Sequence, residues 1–345
     1  MRNHIKLVSS LQQNKSVEYK SMRKTGKILF VLLFIKFLII IFLFILRPYL
    51  TDLGHKQTII SPIPNFLTLL ANGQVSTLNL WLPLLNNITF SNLKKPEIES
   101  KSALLYDLTT KQVLYSKNPK EKLPMASLTK IMTAIIALEN KKADDKYIVK
   151  LEDLVGEDVM GLTEGEVLTL SDLLYGVVLH SGNDAAETLA SSYPTGRTGF
   201  IKAMNKKAQT LGISDTNFTN PTGLEGDGKQ YTTAYDLLVI TNFALSNFPL
   251  FNEVVSTFDY HIPYTSLHKE FYLENETNLL TSYPGVKGVK TGYTPEAGLC
   301  LVTYIDYSGH KIIGVLLGSD NRIKDMKALL DYGLKSQGVN PPPHS

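Results

Sequence analysis

Residues 125 to 130 read MASLTK, which places Ser127 three positions ahead of Lys130. On a helix, side chains at i and i+3 share a face, so the lysine amine can reach the serine hydroxyl. A serine hydroxyl is a weak nucleophile until a neighbour takes its proton, and a lysine can do so once burial and nearby positive charge lower its pKa. A helix start also offers unpaired backbone N–H groups suited to an oxyanion. The spacing itself is common: S-x-x-K recurs at Ser21/Lys24, Ser91/Lys94, Ser266/Lys269 and Ser308/Lys311. Only at Ser127 does it open a helical pattern. There Leu128, Ile131, Met132, Ile135 and Leu138 recur at spacings of three and four, which predicts a helix with one buried face. The competing reading is a serine cap followed by a solvated lysine, and for this motif alone that reading is favoured.

Two further groups change the balance. Ser181-Gly182-Asn183 falls at a turn between two helical segments and presents a hydroxyl and an amide. Lys290-Thr291-Gly292 follows PGVKGV and precedes a strand-like run, which places it on an edge open to a ligand. Gly292 there lets a substrate backbone come close. Lys24-Thr25-Gly26 has the same letters but adjoins a long apolar run at the N-terminal end, so it is set aside.

The elements that must position these groups are legible from periodicity. SALLYDL and QVLYSKN flank Thr109-Thr110-Lys111 and predict a hairpin. SDLLYGVVL predicts a second helix with Ser171 as its cap, and Asp184-Ala185-Ala186-Glu187 has the form of a capping box opening a third. Helical patterns also cover residues 198–211, 233–245 and 322–334. GLCLVTYIDY and HKIIGVLLG, separated by Ser308-Gly309, predict an antiparallel pair. Strands at both ends with helices between them point to one α+β domain whose sheet is assembled from distant parts of the chain.

Bulk properties narrow the classes. The 345 residues are 43% hydrophobic and 19% charged, which is globular, and a net charge of +3 argues against a nucleic-acid-binding domain. The single cysteine, Cys300, lies in an apolar run and reads as a core residue. HExxH, Walker-type and GxGxxG patterns are absent. Residues 28–46 are apolar except for Lys36, a length that can span a bilayer. Lys36 costs roughly 2.5–3.5 kcal/mol, and each surrounding Leu, Ile, Phe or Val returns roughly 0.3–0.6 kcal/mol, so insertion wins. Lys20, Arg23, Lys24 and Lys27 crowd its N-terminal side, and no small-x-small cleavage site follows Leu46. The expected organisation is a cytoplasmic basic tail (1–27), an uncleaved anchor in the cytoplasmic membrane (28–46), an extracytoplasmic linker (47–99), an exported catalytic domain (100–337) and a flexible tail (338–345). Within the linker, Trp81 fits either a membrane-interface element or a segment packed on the body.

Taken in order, S-x-x-K, S-x-N and K-T-G resemble the penicilloyl serine transferases, the penicillin-binding proteins and serine β-lactamases. SLTKIMTAIIALE, LLYGVVLHSGNDAAETLA, NFTNPTGL, YTTAYDL, YPGVKGVKTGYTPEAGLCLV and GVLLGSDNR look most like the low-molecular-mass D-alanyl-D-alanine carboxypeptidases, over about residues 100 to 335. The resemblance implies a β-lactamase/transpeptidase-like fold and a serine peptidase of cell-wall biogenesis. Its substrate would be a peptidoglycan stem peptide ending in D-Ala-D-Ala, with β-lactam antibiotics as acylating inhibitors, and no metal or organic cofactor would be needed. By the same resemblance Ser127 is the nucleophile and Lys130 its proton acceptor. Ser181 and Lys290 pass a proton to the departing D-alanine, and Asn183 holds the substrate amide. The backbone N–H groups of Ser127 and Tyr293 form the oxyanion hole, Thr291 and Arg322 bind the terminal carboxylate, and Gly292 admits the substrate. The block usually written H-x-S-T-A-x-D-L begins here with Gln230. A class A β-lactamase would carry an E-x-x-L-N loop near NFTNPTGL, and none is present. A DD-endopeptidase, a β-lactamase of the same fold and a non-catalytic sensor of stem peptide or β-lactam remain the other readings.

Overall fold

The computed structural model describes Lys36 and residues 80–86, 93–277 and 279–344. The predicted anchor, Lys36 excepted, and the basic tail lie outside the described residues. The folded body belongs to the unit Leu78–Ser345.

The chain enters the sheet through the predicted hairpin, β1 (Ser102–Asp107) and β2 (Gln112–Lys117). A 3-10 turn, Ala126–Leu128, leads into helix α1 (Thr129–Glu139). Short strands β3 (Tyr147–Ile148) and β4 (Val167–Leu168) pair antiparallel. Helices α2 (Leu170–Val178), α3 (Asn183–Ser191), α4 (Gly196–Thr210), α5 (Ala234–Asn247) and α6 (Pro249–Ser256) come next. A second small hairpin, β5 (Asp259–Ile262) with β6 (Phe271–Glu274), precedes the short helix α7 (Leu279–Ser282). Strands β7 (Val286–Thr294), β8 (Gly298–Tyr307) and β9 (His310–Ser319) and helix α8 (Arg322–Ser336) complete the body.

The main sheet has the order β2-β1-β9-β8-β7, so the first and last segments of the domain meet at β1 and β9. Alternate residues of a strand face opposite sides. Leu104, Tyr106, Val302, Val315 and Leu317 join α1–α6 in one apolar cluster. Leu105, Leu301, Ile305, Ile312 and Leu316 meet Met326, Leu329 and Leu330 of α8 in another. Both faces being covered explains why GLCLVTYIDY reads as a nearly continuous apolar run instead of an alternating one.

Three local expectations are corrected. Residues Thr129–Ala137 of α1 are all buried, so the helix is enclosed on every side and not on one face alone. It forms the axis of the helical lobe, which is why its polar members need internal partners. Helix α2 is capped by Thr169, whose Oγ1 accepts from Asp172 N at 3.2 Å; Ser171 lies inside the helix. Asp184 does not form the predicted capping box, since Gly182 is the N-cap of α3: its carboxylate accepts from Ala185 N in the first turn at 2.8 Å and from the backbone N–H groups of Met160, Gly161 and Leu162 at 2.8–2.9 Å. Of the linker's described residues, Trp81 packs edge-on against Tyr106 with ring centroids 5.5 Å apart. Cys300 is buried as expected, and burial pushes its thiol pKa up to about 11.

Candidate active site

Ser127 sits in the 3-10 turn just ahead of α1, with no side-chain cap at either boundary. The residue before it, Ala126, has φ 47°, a left-handed conformation that Ala has no side-chain reason to adopt. Such strain persists only where surroundings enforce it. Here they do. Thr129 Oγ1 donates to Ala126 O at 2.8 Å, Gln230 Nε2 donates to Thr129 Oγ1 at 3.1 Å, and β7 and the segment 219–223 press on the turn from two sides. A Cβ on Gly223 would fall 2.0 Å from Ala126 O, and one on Gly292 would fall 3.1 Å from Ser127 N. Gly223 is therefore reserved for glycine by close backbone approach, whereas a side chain at residue 292 would press the turn by a few tenths of an ångström.

Lys130, one turn along, is fully buried. Its Nζ lies 3.0 Å from Ser127 Oγ, 2.7 Å from Asn183 Oδ1 and 2.7 Å from Thr222 O. Burial first, and then the charge of Lys290, hold its pKa well below the ordinary lysine value, against the opposing pull of Asp158, Glu276 and Asp184. A neutral amine has two N–H donors and one lone pair. With the donors directed at the Asn183 and Thr222 oxygens, the lone pair is left for the Ser127 hydroxyl proton.

Asn183 opens α3 behind a sharp turn in which Ser181, buried, takes φ 56°. Its Nδ2 donates to Glu157 O, and its backbone N donates to Asp158 O at 2.8 Å. The loop that supplies both carbonyls is the one held by Asp184. Lys290 lies within β7, an edge strand as expected, although the motif is part of the strand and does not precede it. It too is buried, and burial lowers its pKa to about 8, with Glu276 and Asp158 raising it and Arg322 lowering it further. Arg322, the first residue of α8, donates from Nη1 to Gly292 O at 3.0 Å, and it shares a small cleft with Thr291 and Glu276. The Tyr293 ring stands in solvent at 60% exposure.

The fold thus brings Lys130 into contact with both Ser127 and Asn183, lays Gly292 against the Ser127 turn and ties Arg322 to Gly292 O, with Lys290 buried two residues along the same strand. It also adds residues to which motif reading gave no role. Thr222 and Gly223 belong to the quoted block NFTNPTGL, and Gln230 anchors that block by accepting from Thr219 N at 2.9 Å. Among the described residues no group of three or more His, Cys, Asp or Glu side chains forms a metal site.

A serine hydroxyl in contact with a desolvated lysine, with a second buried lysine on the neighbouring sheet edge, is an arrangement suited to acyl transfer. A family model described as D-alanyl-D-alanine carboxypeptidase (peptidase family S11) matches residues 89–321, and the chain belongs to that family. It is 35% identical over 255 residues to the D-alanyl-D-alanine carboxypeptidase DacF of Bacillus subtilis, an alignment covering 70% of this chain and 64% of DacF. This chain therefore matches slightly under two thirds of that relative's length. The Streptomyces K15 DD-transpeptidase superposes with a TM-score of 0.66 at 33% identity, covering 70% of this chain and all of that one. Penicillin-binding protein D2 of Listeria monocytogenes in its cefotaxime-bound form gives 0.62 at 30% identity, again covering 70% of this chain and all of that one. These likenesses establish the α+β transpeptidase-like fold.

Proposed function

We propose that this chain is a serine-type D-alanyl-D-alanine carboxypeptidase that removes the terminal D-alanine from peptidoglycan stem peptides and is acylated by β-lactams. The observation that carries the proposal is the contact of Lys130 Nζ with Ser127 Oγ inside a site that disfavours the lysine's charge. Ser127 Oγ attacks the carbonyl carbon of the penultimate D-alanine while Lys130 takes its proton. The developing oxyanion lies against the backbone N–H groups of Ser127 and Tyr293, which β7 holds beside the turn. The C–N bond then breaks, and the departing amine receives a proton through Ser181 with Lys290 behind it. Asn183 orients the peptide, and Thr291 and Arg322 hold the terminal carboxylate. Water cleaves the acyl ester and regenerates the hydroxyl.

The catalytic body would work outside the cytoplasmic membrane, tethered by residues 28–46 with the N-terminus in the cytoplasm. The charge asymmetry around that apolar run supports this topology.

The deciding assay is D-alanine release from an acyl-Lys-D-Ala-D-Ala peptide by the chain and by its Ser127→Ala variant. Release by the wild type that disappears in the variant, together with loss of covalent penicillin labelling, is the expected result. A variant that keeps near-normal turnover would remove Ser127 from the mechanism. A wild type that cleaves only cross-linked peptides would make it an endopeptidase, one that rapidly sheds hydrolysed penicillin would make it a β-lactamase, and one that labels without turning over peptide would make it a sensor.

A further inference from the structure

Residues 222–225 touch four parts of the site in succession. Thr222 O accepts from Lys130 Nζ at 2.7 Å, and Gly223 lies against the turn that carries Ser127. The Leu224 side chain reaches the loop that fixes Asn183, where a Cβ on Gly156 would fall 3.2 Å from Leu224 Cδ1. Glu225 then crosses to the turn after β7, and its Oε1 accepts from Glu296 N at 3.0 Å. Buried Asn220 shapes the run as far as Leu224: its Oδ1 accepts from Gly223 N at 2.7 Å, and its Nδ2 donates to Leu224 O at 2.8 Å. From Glu225 to Lys229 every residue is exposed, so this stretch depends on ties of its own. Asp227 pairs with Arg197 of α4 at 2.8 Å, and Glu225 makes the tie to the β7 side.

Gly223 and Gly292 flank the Ser127 turn on two sides, so the bond from Glu296 to Glu225 joins the two flanks beyond the nucleophile. A peptide held by its terminal carboxylate at Thr291, with its scissile carbonyl against Tyr293 N, runs along the free edge of β7. At about 3.3 Å per residue its upstream residues pass Thr294 and arrive at that bond. We propose that Glu225 is a positioning residue for the acyl side of the substrate: it fastens the 222–225 wall to the end of β7, so that a long acyl chain meets both walls and a short one ends before the bond. The direction of the peptide rests on the carboxypeptidase reading.

Removing the acceptor has a selective consequence. The Thr294 hydroxyl first, and then the Glu296 N–H, hold the Glu225 pKa below the ordinary glutamate value, so the tie is made by a carboxylate at neutral pH. Asn220 still holds Thr222, Gly223 and Leu224 when it is cut, and the contact with Lys130 persists. What loosens is the spacing between Glu225 and the end of β7, which only a long acyl chain senses. The preference for a long over a short donor, read as the ratio of their kcat/KM values, falls about fivefold to tenfold, the scale of one hydrogen bond to an exposed charged acceptor.

The test compares the full chain as wild type, Glu225→Ala and Glu225→Gln in D-alanine release from acetyl-D-Ala-D-Ala and from diacetyl-Lys-D-Ala-D-Ala. Acylation rates with benzylpenicillin and with the bare aminopenicillanic acid nucleus form a second long and short pair. The expected result for Glu225→Ala is a reduced long-to-short ratio in both pairs. Glu225→Gln should keep the ratio close to wild type, because its amide oxygen still accepts from Glu296 N. An unchanged ratio in an active Glu225→Ala enzyme overturns the proposal, and so does equal loss on both members of a pair, which marks a purely structural role. A Glu225→Gln enzyme as impaired as Glu225→Ala overturns the hydrogen-bond assignment. A wild type that is acylated by both penicillins but releases no D-alanine refutes the carboxypeptidase reading instead, and the penicillin ratio then decides the role of Glu225 alone.

Discussion

Gly223→Ala tests the packing behind the nucleophile most sharply. Gly223 has φ +93°, and the added methyl would sit 2.0 Å from Ala126 O, 2.4 Å from Ala126 C and 2.9 Å from Ser127 N. All three contacts are backbone, so no side chain can swing away. Restoring an ordinary contact of 3.4 Å moves one of the two backbones by about 1.4 Å. Either choice damages the site. Movement of the turn displaces Ser127, and movement of residue 223 drags Thr222 O away from Lys130 Nζ. Displacement of a reacting group by about 1 Å can cost roughly 100-fold, and that is the fall expected in the acylation rate. Left-handed strain on alanine adds about 1 kcal/mol and overpacking about 1–3 kcal/mol, so the melting temperature should drop by roughly 5–15 °C.

The assay is the second-order rate of labelling by a fluorescent penicillin beside a thermal melt. Gly226→Ala is the control, because Gly226 has φ +109° but open space around its would-be Cβ. That variant should lose about 1 kcal/mol and label normally. If Gly223→Ala labels within twofold of wild type while Gly226→Ala behaves as expected, the turn yields without moving its serine. The claim that Gly223 fixes the nucleophile would then be wrong.

Two further outcomes are expected. Asp184→Ala leaves the N–H groups of Met160, Gly161 and Leu162 without their acceptor, a loss of about 3 kcal/mol read as a lower melting temperature. Because that loop also supplies both carbonyls that fix Asn183, acylation should slow by at least about tenfold, and unchanged labelling would show that Asn183 is held some other way. For topology, protease added to intact spheroplasts should digest the catalytic body, and full protection would refute the exported orientation.

How much of this was legible in the sequence depended on the range over which each contact acts. Ser127 and Lys130 are three residues apart, so helical geometry alone pairs them, and the strand pairing of β8 with β9 across Ser308-Gly309 is equally local. Lys130 meets Asn183 across 53 residues and Thr222 across 92, and no spacing rule links such positions; the motifs named Asn183 only through family resemblance. Periodicity found the strongest face of α1 and missed that its other faces are covered as well, because Thr129 and Thr133 look solvent-bound until Gln230 and Pro221 O are seen beside them. Capping rules failed at Asp184 for a related reason: most of its carboxylate's bonds go to the distant 160–162 loop, and only one, from Ala185 N, to its own helix. The residues proposed to perform the chemistry were therefore readable from the chain, whereas those that hold them in place became readable only once the fold had joined distant segments around Lys130.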